Sequence, residues 1–152
     1  MNHKLDFYTE YHQFYISDKE SPKETNKDSF WTDEAIQSRL AIGEGILGVS
    51  VECYGPVKGE LILLESKKDQ IDYKQYDHIV EGGLSVQSGV LQVLDCASSH
   101  VELEVKVMPG KYRVRIYSLN LASVVGDSGN DYYKIEIWPD TNISRTLLKQ
   151  YL

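Results

Sequence analysis

The chain has 152 residues, a formal charge of −7 and two cysteines. That length suits one domain, residues 1–152, with a single core, and so few cysteines exclude a disulfide scaffold. The acidic balance argues against a direct nucleic-acid binder, which needs a basic footprint, and no apolar run of about 18 residues offers a membrane insertion. Met1 to Asp6 lacks the apolar stretch of a signal peptide, so a reducing, cytoplasmic location is the expectation.

Leu5 to Ser17 is aromatic-rich and reads as a first strand. Its alternation breaks near His12, which suggests a bulge or burial of both faces. Asp18 to Ser29 is polar throughout and reads as a mobile loop. Residues 32–41 are the best helix. Thr32 can cap it, and Asp33 and Glu34 stand in the first turn, where the helix dipole favours anions. Gly43 and Gly45 would end it. Trp31, just before the cap, can reach back onto Ala35 or Ile36.

Ile46 to Tyr54 and Val57 to Leu64 flank Gly55-Pro56 and read as a hairpin. Tyr76 to Val86 and Gly89 to Leu94 read as another strand pair. Val101 to Ser118 carries the clearest pattern, apolar residues alternating with charged ones on both sides of Pro109-Gly110. As a hairpin it would set Val105 opposite Val114, Leu103 opposite Ile116 and Glu104 opposite Arg115. Residues 120–131 form a long loop. Tyr132 to Trp138 is a strand with Tyr133, Ile135 and Ile137 on one side, stopped by Pro139. Ile143 to Leu152 reads as a short helix or an edge strand. About eight strands with one early helix predict an all-β fold, an antiparallel β-sandwich, with a jelly roll or partly closed barrel as the alternative.

No phosphate loop, His-Glu-x-x-His or Gly-x-Ser-x-Gly is present, so no catalytic residue is assigned. His3, His12, His78 and His100 are scattered. Cys96 and His100 are four apart, but in a turn and with no second pair, so neither a metal nor a cofactor is expected. Cys53 and Cys96 read as buried free thiols. All the excess negative charge lies in residues 1–88: residues 1–44 carry nine acids and five bases, residues 45–88 seven and four, residues 89–152 seven of each. Ordinary solubility explains such a balance, and it also permits a basic partner.

Tyr11-His12-Gln13-Phe14, followed after a polar spacer by Trp31-Thr32-Asp33-Glu34-Ala35-Ile36, resembles the opening of the competence protein J family. Those proteins are bacterial inhibitors of the nuclease used in DNA uptake. The resemblance implies a protein that binds a nuclease and blocks it, without catalysis. Tyr11, His12, Phe14, Trp31, Asp33 and Glu34 are the partner-binding candidates it supplies. The loop acids Asp18, Glu20, Glu24 and Asp28 join them on charge alone. A nuclease cleft that attracts polyphosphate is basic, and an acidic, tyrosine-bearing surface suits it. The alternative is a β-sandwich that binds a small ligand such as a carbohydrate, or an accessory module.

Overall fold

Three predicted hairpins are not hairpins. In the computed structural model, which describes residues 1–152, the chain crosses from one sheet to the other at each of those turns. The elements in order are β1 (Asn2–Tyr8), β2 (Gln13–Asp18), α1 (Asp33–Ser38), β3 (Leu40–Gly43), β4 (Ile46–Ser50), β5 (Pro56–Leu63), β6 (His78–Val86), β7 (Val90–Leu94), β8 (Val101–Lys106), β9 (Gly110–Leu119), β10 (Tyr132–Pro139) and β11 (Thr146–Lys149). Eleven strands, not eight, make an all-β sandwich. One sheet has the order β1-β5-β10-β9-β6-β11, and the other β3-β4-β2-β7-β8. Most pairs are antiparallel, but β5 and β10 run parallel.

Strands β4 and β5 lie in different sheets, as do β6 and β7, and β8 and β9. Leu103 and Val105 therefore pair with Val93 and Leu91, and Val114 and Ile116 with Ile137 and Ile135. Glu104 and Arg115 are not cross-strand partners. Glu104 accepts from Gln92 Nε2 (2.8 Å) instead. The alternation was right that Leu103, Val107, Val114 and Ile116 face inward, while Val101 of the same set is 51% exposed. It carried no signal for which strand answers them, because an arch across a sandwich and a hairpin share one pattern.

The segment read as a first strand divides for the same reason. β1 and β2 lie in different sheets, joined through Tyr11 and His12, both left-handed at φ 57° and 56°. The break in alternation is a crossing and not a bulge, and β2 beyond it is buried on both faces, the other expectation. The helix is also shorter than expected. Arg39, left-handed at φ 63°, ends it, and Leu40 already belongs to β3. Gly43 and Gly45 belong instead to the β3–β4 turn, where Gly45 is left-handed at φ 65°. As expected, Tyr133, Ile135 and Ile137 face the core, and the C-terminal segment supplies an edge strand. Pro139 ends its strand from within.

The core between the sheets holds 21 buried residues, among them Phe14, Ile16, Leu47, Val49, Val114 and Ile135. Their neighbours in sequence face outward and form a second cluster on the other side of the five-stranded sheet. Tyr15, Ala41, Ile46 and Leu94 are covered there by Phe30, Ala35 and Trp31. Gly48 makes room for this cover, since a Cβ there would stand 2.7 Å from the Trp31 ring. Residues 19–29 are mostly exposed, as expected of a polar loop, while Phe30 at their end is buried. No helix is long and apolar enough to cross a membrane.

The outer face of the six-stranded sheet is charged yet buried. Register places Glu81, Arg115 and Glu136 in one row across β6, β9 and β10. Glu81 accepts from Arg113 Nε (2.8 Å) and Arg115 Nε (2.6 Å). The chain after β10 covers Arg113, which donates to the carbonyls of Asn142 (3.0 Å) and Ser144 (2.7 Å), while Arg115 donates to the Lys68 carbonyl (3.0 Å) and the Tyr117 hydroxyl (3.0 Å).

Candidate functional site

One end of the sandwich gathers four connections: residues 9–12, 51–55, 95–100 and 120–131. Backbone bonds lock them together. Thr9 N–H donates to Gly55 (2.8 Å), Glu10 to Cys96 (2.7 Å), Val51 to His12 (2.9 Å) and Tyr54 to Gly126 (3.0 Å). Two side chains brace the 51–55 arch from beneath. The Tyr133 hydroxyl accepts the Glu52 N–H (2.7 Å) and donates to Asp131 Oδ2 (2.7 Å), which also accepts the Cys53 N–H (3.2 Å). Burial, above all, pushes the Tyr133 hydroxyl far up, so it stays protonated as that donor.

The two motifs that carry the family resemblance meet here. Gln13 joins them: its Oε1 accepts from Trp31 Nε1 (2.8 Å) and from the Tyr15 hydroxyl (2.7 Å). Thr32 caps α1 by accepting the Ala35 N–H (3.1 Å), and Ala35 is buried. Phe14 lies in the core, edge-on to Phe7 at 5.5 Å, and offers a partner nothing. That removes it from the binding candidates. Strand alternation could not, since the crossing at His12 hid which face Phe14 takes.

Tyr11, His12 and Trp31 do come together, with Gln13, Ile36 and Ser50, around a shallow hollow of about 350 Å³. Tyr11 is 63% exposed and Ile36 61%. His12 is exposed, its Nδ1 lies 3.1 Å from the Glu52 carbonyl, and its ring meets Tyr54 edge-on at 5.2 Å. The carbonyl can only accept, so His12 carries its proton on Nδ1. Asp33 and Glu34 sit nearby in the first turn of α1, both exposed. Glu34 pairs with Arg145 of the C-terminal segment, so its charge is already partnered within the chain.

Across Tyr54 lies a second, larger hollow of about 460 Å³ that sequence reasoning missed. Tyr8, Tyr54 and Gly55 wall it, and Glu10, Asp95 and Asp127 put carboxylates into it. No lysine or arginine lines either hollow. Gly55 is left-handed at φ 112°, and a Cβ there would stand 3.3 Å from the Tyr8 ring. Asp95, His100 and Glu102 bring ligand atoms within 4.8 Å of one another, a set that could hold a cation. Burial, then the Asp95 charge, raises the Glu102 carboxyl above its usual range. The spacing Asp-x4-His-x-Glu was visible in the sequence; that it closes on itself depends on the turn between β7 and β8.

The loop acids fare differently. Asp18 is buried and spends its carboxylate on the arch after β6, accepting the N–H groups of Gln87 (3.1 Å) and Ser88 (3.3 Å). Glu24 pairs with Lys27 at 2.6 Å. Cys53 and Cys96 are buried free thiols, as expected.

No family model and no curated protein matches the chain. Among solved structures it is similar to ComJ of Bacillus subtilis, described as an inhibitor of the DNA-degrading activity of NucA. Identity is 19%, over 92% of this chain and 99% of that one, with a TM-score of 0.69. It is also similar to the product of crocagin biosynthetic gene J, at 18% identity over 93% and 98% of the two chains, with a TM-score of 0.59. The chain thus has a ComJ-like fold.

Proposed function

We propose that this protein is an inhibitor that binds a nuclease, acting in the cytoplasm as a single folded unit and without catalysis of its own. The observation that carries the reading is the looped end of the sandwich: exposed Tyr8, Tyr11, Ile36 and Tyr54 beside three carboxylates, with no lysine or arginine among the lining residues. Aromatic anchors within an acidic surface suit a partner whose own surface is basic. The likeness to ComJ along nearly the whole chain supports this choice of partner. Tyr11, His12 and Trp31 are contact residues, with Asp33 and Glu34 at the rim. The test is DNA cleavage by a nuclease of the same host, titrated with this protein. Inhibition should be stoichiometric and should weaken as salt rises, because exposed charge pairs are screened over about 10 Å at 0.1 M salt. Unchanged cleavage at large excess, across the host's candidate nucleases, overturns the reading. The 460 Å³ hollow with its tyrosine walls favours a second reading, a small-ligand site such as one for carbohydrate.

A further inference from the structure

The larger hollow is wider than a bare ion needs, and its lining carries carboxylates and no lysine or arginine. It spans about 460 Å³ between Tyr8 and Tyr54. Glu10, Asp95 and Asp127 enter it, and Glu102 stands beside Asp95. The Asp95 side chain is 10% exposed. Its Oδ1 accepts the His100 N–H (2.6 Å), while Oδ2 accepts no hydrogen bond and lies 3.5 Å from His100 Nδ1. A carboxylate oxygen is thus held nearly buried, facing the hollow, without a donor. That oxygen is free to accept from a donor placed in the hollow. Two exposed aromatic residues line the hollow, Tyr8 at 68% and Tyr54 at 45%. Carboxylates between exposed aromatic side chains suit a contact that excludes water around one bound group.

We infer that this hollow receives a guanidinium group, an arginine side chain presented by the protein partner. The inference rests on the protein-binding reading above and deepens it. Carboxylates at the base offer the paired acceptors that a planar, five-donor cation needs. Tyrosine walls offer ring faces, which attract a guanidinium and give a small hydrated metal ion nothing. Asp95, His100 and Glu102 could instead ligate a metal. That alternative leaves Tyr8, Tyr54, Glu10 and Asp127 unused, and His100 at 75% exposed is held on one side only.

The test has two arms. In the first, amide shifts of the isolated protein are followed during titration with N-acetyl-arginine-amide. The isosteric but uncharged N-acetyl-citrulline-amide is the control, and Zn²⁺ a third titrant. Shifts should be confined to residues 8–10, 54–55, 95–102 and 126–128, saturate in the millimolar range, and be absent with citrulline. Asp95→Asn keeps the acceptor for the His100 N–H but removes the charge, and should weaken arginine binding about tenfold. Asp127→Asn, on an exposed loop, should weaken it without touching the fold. No arginine-specific shift in the wild type overturns the inference, as does Zn²⁺ binding there in its place. In the second arm the same variants are assayed against the nuclease. Arginine binding without nuclease inhibition leaves the hollow standing and sinks the choice of partner. Inhibition without arginine binding does the reverse.

Discussion

Removing Glu81 should expose how much of this fold rests on a charge row that lies under cover. Glu81 faces two guanidinium groups, Arg113 Nε at 2.8 Å and Arg115 Nε at 2.6 Å, and the three side chains are 6%, 4% and 1% exposed. Glu81→Ala leaves both cations in place, since arginine does not shed its proton. Breaking a buried pair in this way costs about 3–5 kcal/mol. Here the lower end is expected. Arg113 keeps the Asn142 and Ser144 carbonyls and Thr146 Oγ1, and Arg115 keeps the Lys68 carbonyl, the Tyr117 hydroxyl and Glu136 at 3.7 Å. A loss of about 3 kcal/mol is a large part of a total stability of about 5–15 kcal/mol. At about 2–4 °C per kcal/mol for a chain of this size, Tm should fall by about 6–12 °C. Urea unfolding read by tryptophan emission suits the measurement, because the Trp138 ring lies 5.0 Å from Arg115. Glu81→Gln keeps the shape, loses the charge, and should fall between. If Glu81→Ala unfolds within about 0.5 kcal/mol of the wild type, the row is solvated and this account of the sheet's outer face is wrong.

Three further outcomes are expected. His78 is buried, with Nε2 2.7 Å from the Ser38 carbonyl and Nδ1 accepting the Tyr151 N–H (3.0 Å); burial holds its pKa below the usual imidazole range. The unfolded chain therefore binds that proton more readily, so stability is full above about pH 6.5 and falls at lower pH by up to about 1.4 kcal/mol per unit; urea midpoints from pH 7 to 5 should decline more steeply in the wild type than in His78→Asn. Gln13→Leu strips Trp31 Nε1 and the Tyr15 hydroxyl of their shared acceptor and should cost about 1–3 kcal/mol, with a shift in Trp31 emission; an unchanged spectrum and midpoint would show that water replaces the amide. Val114→Asp should abolish folding while Val105→Asp is tolerated at lower stability, since Val114 is fully buried in a central strand and Val105 half-buried in an edge strand; equal effects, judged by melting curves, would favour the single hairpin over the crossing.

The sequence was legible where facing alone decided the matter. Period-two runs put Tyr133, Ile135 and Ile137 inside, and composition gave a β-sandwich with one early helix. It was illegible where two strands meet. Residues 101–107 and 112–116 read as mutual partners because both point inward, and inward is also where an arch points them. Nor could the pattern distinguish a charge turned to water from one turned to a covering segment. Arg113 and Arg115 alternate with core residues as solvent-facing residues would; the path of residues 140–146 encloses Arg113, while Arg115 meets the Lys68 carbonyl, the Tyr117 hydroxyl and the Trp138 ring. The larger hollow was hidden for a related cause. Tyr8 ends β1, while Tyr54, Asp95 and Asp127 come from three separate connections, and nothing local ties them together.

The motifs that carry the resemblance show how fold and the proposed contact surface would share residues at the looped end. Along residues 11–14 the duties alternate. Tyr11 points out at 63% exposure, His12 ties the turn to Glu52, Gln13 anchors Trp31, and Phe14 enters the core. Along 31–36, Thr32 and Ala35 build the helix, while Trp31 and Ile36 edge the smaller hollow. A left-handed pair at Tyr11 and His12 makes this alternation workable, because it completes the turn from one sheet to the other just before β2. Substituting within these motifs therefore tests two properties at once. Tyr11→Ala and Ile36→Ala change mainly what a partner meets, since both side chains are largely exposed; Gln13→Leu and Ala35→Leu change the platform on which they stand. If the surface pair weakens inhibition at unchanged stability, the looped end is the interface. If only the platform pair does, the resemblance marks a shared way of folding, and the contact surface lies elsewhere on the molecule.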